Sequence, residues 1–534
     1  MQSNKVETAC GTVEGHRHPA GAWAFLGIPY GQTTTGENRF RPARPARPWR
    51  GVLQASAWGA HCPQGGFNEH PDYTQPLPGP VPTSSEDCLK LNLWSPAGHR
   101  AGKRPVMVWL HGGGFSVGSA AQAITNGGNL AAFGDAVVIS LNHRLNIFGF
   151  LFLDDVSGGA VSQTANLGLT DIVLALRWVR DNVAAFGGDP DNVTLFGVSG
   201  GGRKICNLMA MPSAKGLFHK AIIESGPHLR CIPRDRASRF AAGFLHHLGV
   251  APRDIRALHR IPASRLQALS VAYCRALNDP AVAEDPTIAI WMMSPVVDGA
   301  VLPEHPWDGQ APEASRNVPL LIGTNKDEAA VHLCRRPGAG QMTIEALQAH
   351  CERALGPRAE AILNAHARAR PEETPWELLV GIASEDRRLM AADIALQKTA
   401  QGGAPAYLYL FTWETDFRLY KAAHGIEVPF VFRTVDQSPM TGGRADRHIL
   451  AETVSAAWIT FARTGHPQVP GIAHWPIYEP ARRTTMILDV PPRLASDPRR
   501  AERLAFGGTG ACMPWEPRSL AVGLTAPFAV RTPA

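Results

Sequence analysis

The nine residues TLFGVSGGG (194–202) constrain this chain more than any other stretch of its sequence. They place Ser199 among four glycines, directly after an apolar run that is typical of a buried strand. Glycine weakens strands and helices alike, so its concentration here needs a local reason. A sharp strand-to-helix turn supplies one, because it strains the serine dihedral angles and leaves no room for side chains at Gly197 and Gly201. The sequence therefore predicts a serine hydroxyl exposed on a tight bend.

A glycine-rich phosphate-binding turn is the alternative for the same residues. It would need a lysine-serine pair at its end, and GVSGGGRK (197–204) has the wrong order. A serine hydroxyl becomes a nucleophile only when a base removes its proton and donors stabilise the oxyanion that forms. HGGGF (111–115) follows the apolar run VMVWL (106–110) and offers backbone N–H groups for that anion. The two motifs together predict nucleophilic catalysis by Ser199.

Short apolar runs alternate with helical patterns along much of the chain, which predicts a doubly wound, mostly parallel sheet. Strands are predicted at 106–110, 136–141, 193–197, 220–226, 318–328 and 406–414. Helices are predicted at 169–186, 203–211 and 449–465, the last of these ending at Gly465. The stretch from about 235 to 290 is helical and less patterned. With no internal repeat or low-complexity linker, we predict one catalytic domain over 1–534, with insertions and an irregular tail from about 505.

The composition indicates a globular protein and gives no sign of a nucleic-acid-binding one. Hydrophobic residues make up 45% of the 534 residues and charged residues 18%, which is typical of a globular chain with a large core. The formal charge of +6 is spread along the chain. The basic stretches at 39–50 and 99–104 lack interleaved aromatic residues, so we interpret them as surface loops and expect no nucleic-acid partner.

The beginning of the chain and its apolar runs bear on the compartment. MQSNKVETACG lacks the apolar core of a secretory signal, and no later run approaches the ~18 residues of a membrane span. We therefore expect a soluble protein without a membrane span. A cytoplasmic protein and a secreted protein whose leader has been removed fit the sequence equally well.

Several further stretches resemble the type-B carboxylesterases, the family that includes the cholinesterases. The matching stretches are FLGIPYG (25–31), NRFRPARP (38–45), SEDCLKLNLW (85–94), NHRLNIFGFL (142–151), residues 166–197, SPVVDG (294–299), GTNKDE (323–328), HGIEVPFVF (424–432) and HWPIY (474–478). The resemblance implies an α/β-hydrolase fold, with a twisted, mostly parallel sheet flanked by helices and helical insertions that form a gorge or cap. It also implies ester hydrolysis through an acyl-enzyme.

The family motifs, carried over by position, imply the residues that do the chemistry. Ser199 would be the nucleophile, Glu328 the acid and His424 the base, and the order Ser, Glu, His along the chain is that of the α/β-hydrolases. Asp327 is the nearest alternative to Glu328. The oxyanion donors implied by the family are the backbone amides of Gly113, Gly114 and Gly200.

The resemblance also implies structural pairs. Cys62 and Cys88 match the family's first disulfide, although in a reducing compartment the two can remain thiols. Two internal salt bridges are implied, between Arg39 and Glu86 and between Arg144 and Asp171. Ser225 matches a serine that hydrogen-bonds near the triad.

Departures from the family pattern bear on the substrate. Val198 stands where the family usually has an acidic residue and Gly200 where it has alanine, and the segment between Cys62 and Cys88 offers Phe67 and Tyr73 instead of the cholinesterase tryptophan. A cationic ester loses both a charge partner and a cation–π face, so we do not expect acetylcholine to be a substrate. Candidate pocket residues, equally consistent with core positions, are Phe115, Trp291, Met292, Phe430 and Phe432.

We therefore predict a serine carboxylesterase that acts on uncharged carboxylic esters, as a monomer in preference to an oligomer. No metal cluster or nucleotide motif is present in an adequate context, so we expect no metal and no cofactor. Two alternatives remain open. The same triad can serve carbamates, amides or a bulky polyester or toxin ester, and a cholinesterase-like relative can be a non-catalytic binding protein.

Overall fold

The computed structural model describes residues 4–65, 83–96, 102–277, 293–334 and 338–507. Within these ranges the strands are β1 (Lys5–Thr8), β2 (Gly11–Glu14), β3 (His16–Arg17), β4 (Trp23–Pro29), β5 (Val52–Gln54), β6 (Lys90–Ser95), β7 (Arg104–Leu110), β8 (Val137–Leu141), β9 (Gly188–Val198), β10 (Lys220–Glu224), β11 (Ile232–Pro233), β12 (Val296–Val297), β13 (Leu320–Asn325), β14 (Ala406–Phe411), β15 (Thr484–Leu488) and β16 (Arg493–Ser496). Each predicted strand is present, with ends that differ by a few residues.

Eleven of these strands form one large sheet, in the order β16-β15-β14-β13-β10-β9-β7-β8-β6-β4-β3. From β8 to β15 every neighbouring pair is parallel, whereas the pairs at both margins are antiparallel. The central strands are almost continuously apolar and fully buried, as parallel strands covered on both faces must be. The prediction of a mostly parallel sheet is confirmed.

Helices connect and cover these strands. They are α1 (Gly128–Gly134), α2 (Asn146–Phe150), α3 (Leu167–Asn182), α4 (Gly200–Ala210), α5 (Arg234–His247), α6 (Ile255–Arg260), α7 (Ala263–Leu277), α8 (Ala330–Leu333), α9 (Ile344–Leu355), α10 (Ala359–Ala369), α11 (Pro375–Ala400), α12 (Val428–Phe432), α13 (Arg447–Thr464) and α14 (Arg500–Ala505). Helix α13 ends at Gly465, whose φ of 83° is the left-handed value expected of a C-terminal glycine. Among the described helices, none combines the length and the apolar character that a membrane crossing requires.

The sheet separates two buried cores, and alternate residues of a strand enter opposite ones. In β7, Val106 and Val108 pack into one core, together with Leu176 of α3. Met107 and Trp109 enter the other, which α13 helps to close. This division fixes which side chains of the central strands contact which helices.

Helices α5, α6 and α7 lie between β10 and β13 and form an insertion outside the sheet order. A buried ion pair ties this insertion to the rest of the molecule. Arg39 makes two 2.6 Å hydrogen bonds to the Glu86 carboxylate and donates to the carbonyls of Leu258 and Ile261 at 2.6 and 2.8 Å. The predicted pair between Arg144 and Asp171 is likewise present and buried. Such pairs fix the position of loops more reliably than they add net stability.

Candidate active site

Three neighbouring strands bring the candidate catalytic residues to one edge of the sheet. Parallel pairing sets Glu224 of β10 opposite both Val198 of β9 and Gly323 of β13, so the three strands end side by side. Ser199 follows β9 directly, and Glu328 lies three residues beyond β13. The carboxyl ends of parallel strands are where open α/β sheets place their ligand sites.

Ser199 occupies a strained bend between β9 and α4. Its φ of 56° and ψ of −118° are unusual for a residue with a side chain, and its N–H donates to the Glu224 carbonyl at 2.8 Å. A Cβ on Gly201 would lie 1.9 Å from the carbonyl oxygen of Leu110, and one on Gly197 would lie 2.5 Å from the same oxygen. The predicted steric reason for these glycines is confirmed.

Helix α4 begins at Gly200, three residues earlier than the sequence pattern predicts. The low helix propensity of three successive glycines concealed this first turn. Close packing requires them, because a Cβ on Gly202 would meet the Cα of Gly226 at 2.9 Å. The short distance between helix and sheet therefore outweighs the conformational cost of glycine.

The glycine loop after β7 meets the start of α4. Gly113 and Gly114 have φ values of 86° and 63°, which glycine adopts without strain. A Cβ on Gly200 would be 2.4 Å from the amide nitrogen of Gly114, so these two peptides are in direct contact. In the part of the chain that the structure describes, the amides of Gly113, Gly114 and Gly200 donate no hydrogen bond. Gly113 and Gly114 are partly exposed and Gly200 is buried next to Ser199, so the three amides are available to an anion that enters beside the serine.

A buried lysine supports this loop from behind. Lys204 of α4 donates from Nζ to the carbonyl of His111 at 3.0 Å, and its burial lowers the pKa of its ammonium group to about 7. The rings of His111 and His143 stack with centroids 5.0 Å apart. Burial, followed by the charge of Lys204, holds the pKa of both imidazoles well below the usual value. The sequence analysis missed Lys204, although a lysine in the first turns after the glycines was a visible signal.

Glu328 and His424 are brought together by a bridge between Asp327 and Ala423. Nδ1 of His424 donates to Oε2 of Glu328, and the other carboxylate oxygen accepts from the Asn325 amide at 2.9 Å. Burial opposes ionisation of Glu328. The charges of His424 and Arg387 and the hydrogen bond from His424 outweigh it and lower the pKa of Glu328 to about 2. Glu328 therefore remains an anion across the physiological pH range.

Asp327, the alternative acid, is engaged elsewhere. Its Oδ2 accepts from the Ala422 amide at 3.2 Å and lies 3.4 Å from Nζ of Lys326. These contacts occupy the carboxylate that would have to face the imidazole. The geometry therefore favours Glu328 over Asp327 as the partner of His424.

The imidazole of His424 has a second neighbour that the sequence did not reveal. Nη1 of Arg387 in α11 lies 2.6 Å from Nδ1 and 3.2 Å from Nε2 of His424, and 3.2 Å from Oε2 of Glu328. Burial and then the charge of Arg387 lower the pKa of His424, against the raising effect of Glu328. His424 is thereby kept neutral, which is the form that accepts a proton.

The hydroxyl of Ser199 makes no hydrogen bond to any described residue, His424 included. Catalytic hydrogen bonds are often long before substrate binds and tighten in the complex, so the missing hydrogen bond is compatible with proton transfer. Ser199, His424 and Glu328 are nonetheless all positioned by elements that end at the same sheet edge.

A second buried carboxyl group lies behind this site. Ser225 donates to Oε1 of Glu427 at 3.1 Å, and Asn325 donates to the other oxygen. Burial and then the negative charge of Glu328 raise the pKa of Glu427 to about 7. The predicted hydrogen-bonding role of Ser225 thus involves Glu427, which the sequence analysis did not identify. Its position three residues after His424 was the available signal.

The structure corrects two of the candidate pocket residues. Phe430 is fully buried against Phe411 and Trp413, and Phe432 packs on Trp109 and Phe196. Both belong to the core on one face of the sheet, because α12 turns them inward. Phe115 is 2% exposed and contacts Phe150 and His228 beside the glycine loop. Among the remaining candidates, Trp291 and Met292 lie outside the described residues, as do Phe67 and Tyr73.

The predicted disulfide is not formed. Cys62 and Cys88 are both buried free thiols in mutual hydrogen-bond contact. The Cys62 sulfur also accepts from the Leu145 amide at 3.2 Å. The contact with Cys62, followed by burial, raises the pKa of Cys88 well above the usual value, so the thiol form is stabilised. The two cysteines thus bring together the ends of the segment between them, as expected, but through a contact of two thiols and not through a disulfide.

A mostly parallel sheet with a strained serine at its edge, an imidazole–carboxylate pair and a loop of free amides defines a serine hydrolase of the α/β-hydrolase fold. A family model described as "Carboxylesterase family" matches residues 2–507. The para-nitrobenzyl esterase of Bacillus subtilis (strain 168) is 37% identical over 508 residues, which cover 94% of this chain and 98% of that protein.

Two further relatives agree. The phenmedipham hydrolase of Pseudarthrobacter oxydans is 32% identical over 474 residues, covering 86% of this chain and 90% of that protein. A solved PNB esterase structure matches with a TM-score of 0.79 and 35% identity, covering 94% of this chain and 99% of that one. The chain belongs to the carboxylesterase family. The predicted resemblance and fold are confirmed, and the protein is a carboxylic ester hydrolase that acts on small-molecule esters.

Proposed function

We propose that this esterase works through an acyl-enzyme on Ser199. The hydroxyl oxygen attacks the ester carbonyl while Nε2 of His424 takes its proton, and the imidazolium then protonates the departing alcohol. A water molecule, activated by the same nitrogen, attacks the acyl group and releases the acid. Glu328 keeps Nδ1 protonated and stabilises the imidazolium. The amides of Gly113, Gly114 and Gly200 hold the oxyanion, a contribution worth about 10²–10³ in rate for a single donor.

The observation that carries this proposal is the hydrogen bond between Glu328 and His424 at the edge where Ser199 stands on its bend. The low pKa of Glu328 and the lowered pKa of His424 support the same assignment, because they give an anion to orient a neutral base. Unengaged amides beside the serine complete the set of groups that ester hydrolysis needs.

Replacing Ser199 with alanine tests the nucleophile. We expect Ser199→Ala to lose at least about 10⁴-fold in kcat for p-nitrophenyl butyrate and to resist labelling by a fluorophosphonate probe, with unchanged circular dichroism. The exposed Ser213 provides the control, because Ser213→Ala removes a hydroxyl far from the site and should react like the unmodified enzyme. Full turnover by Ser199→Ala would remove Ser199 from the mechanism.

For the substrate class, we propose small uncharged carboxylic esters, with carbamates as the second candidate. Val198 leaves no carboxylate beside Ser199 to attract a cationic ester. The similarity to a phenmedipham hydrolase favours testing carbamates. A panel of p-nitrophenyl esters of two to eight carbons, compared with aryl carbamates, ranks the two classes by kcat/KM. Absence of labelling by the fluorophosphonate would instead indicate a non-catalytic binding protein.

We further propose that 1–534 acts as a single catalytic domain and as a monomer. The family model extends over 2–507, and one large sheet runs through most of the described chain. Light scattering coupled to size exclusion should give the mass of one chain, about 57.5 kDa.

A further inference from the structure

Arg387 enters the active site with part of its guanidinium group unused. Nη1 donates to Glu328 and lies against the His424 ring, whereas Nε and Nη2 have no hydrogen-bond partner among the described residues. The side chain keeps 20% of its surface exposed. A guanidinium group carries five N–H donors in a fixed planar fork, so an edge of that fork remains for another acceptor.

The position of Arg387 indicates which part of a substrate it would meet. Its Nη1 lies 3.2 Å from Nε2 of His424, the nitrogen that delivers a proton to the departing alcohol. Groups around Nε2 therefore also surround the alcohol part of the ester. An acceptor carried by that part can reach the free edge of Arg387 without displacing Glu328 from Nη1.

The surrounding charges favour an anion there more than a cation. Arg203, half-buried in the first turn of α4, repels Arg387, and desolvation followed by this repulsion lowers the pKa of Arg203 to about 9. Glu328 and Asp386 are the acidic neighbours. Glu328 is already hydrogen-bonded to His424. Burial raises the pKa of Asp386, so the Asp386 carboxylate is a weaker counterion for Arg387. Val198 adds no negative charge beside the serine.

We propose that Arg387 is a substrate-binding residue, and that besides uncharged esters this site takes esters whose alcohol part carries a carboxylate. The carboxylate would accept hydrogen bonds from the free edge of the guanidinium group. This inference rests on the proposed function, because it assumes the proton transfer through His424. Planar recognition of a carboxylate is the task for which arginine is better suited than lysine.

Two aryl acetates of nearly equal shape test the proposal: 3-acetoxybenzoate, which carries the carboxylate, and 3-acetoxybenzamide, which is neutral. The measured quantity is the ratio of their kcat/KM values, because any loss of triad alignment lowers both esters alike and cancels. Removing a hydrogen-bonded charge pair should lower the ratio about 10- to 100-fold in Arg387→Met, mostly through KM. Arg387→Lys keeps the charge without the fork and should give an intermediate ratio.

A control variant separates local binding from net charge. Arg180→Met removes one positive charge from an exposed pair on α3 and should leave the ratio unchanged. An identical ratio in the unmodified enzyme and in Arg387→Met overturns the proposal, as does a fall of the same size in Arg180→Met. Failure of the proposed function looks different, because the unmodified enzyme would then resist the fluorophosphonate and hydrolyse neither ester.

Discussion

The contact between Gly201 and the end of β7 allows a direct test of the strained bend at Ser199. A Cβ on Gly201 would lie 1.9 Å from the carbonyl oxygen of Leu110 and 2.8 Å from its carbon. Helix α4 would have to retreat by more than about 1 Å, since interiors are close-packed and offer no slack. Overpacking costs about 1–3 kcal/mol when side chains can adjust, and here the obstacle is the backbone of a central strand. We therefore expect Gly201→Ala to lower the free energy of unfolding by about 3 kcal/mol or more.

Urea unfolding and steady-state kinetics measure the two consequences. A displacement of about 1 Å at the nucleophile costs on the order of 10²-fold in kcat, so both the urea midpoint and kcat should fall. Gly216→Ala is the matched control. Gly216 has a φ of 77° but nothing within 4 Å of its missing Cβ, so alanine there suffers backbone strain of about 1–2 kcal/mol without a clash. Its kcat should not change. If Gly201→Ala keeps the urea midpoint and the kcat of the unmodified enzyme, the steric explanation of the bend at Ser199 is wrong.

Two further predictions concern buried charges. The pKa of Lys204 is about 7 in the folded protein, against an ordinary value of 10.5. Between these two pH values the unfolded chain binds more protons than the folded protein. The free energy of unfolding of the unmodified protein should therefore increase as the pH rises. Relative to Lys204→Met it should gain about 2–3 kcal/mol between pH 7 and 9 in urea unfolding, and parallel curves for the two proteins would contradict the burial argument. Glu86→Gln leaves Arg39 buried without its anion and should cost about 3–5 kcal/mol by the same assay. A loss under about 1 kcal/mol would mean that the pair does not hold the helical insertion in place.

Local patterns in the sequence were sufficient to predict the central strands of the large sheet and the helices α3 and α13. The strands β7 to β10 and the helix α13 were predicted because their apolar periodicity and their terminal glycine act within a few residues. Helix α4 shows the limit of that approach. Its glycine start contradicts helix propensity, and only contact with Leu110 and Gly226 explains why the helix begins there.

The candidate site divides in the same way. Ser199, Glu328 and His424 could be named from motifs because each stands in a short local pattern. Arg387 could not, since it lies in the middle of a 26-residue helix and reaches His424 only through the packing of α11 against the sheet. Phe430 was misplaced for the related reason that an aromatic residue near a catalytic histidine can face either the pocket or the core.

The amino-acid sequence by itself determined the family, the order of the central strands along the chain, and the residues proposed to carry out ester hydrolysis. Those properties depend on neighbours along the chain. Only the tertiary structure decided which charges surround the imidazole, whether Cys62 and Cys88 are bonded, and which aromatic side chains are buried. Each of these depends on distances between residues far apart in the sequence, and therefore on how the helices pack on the two faces of the sheet.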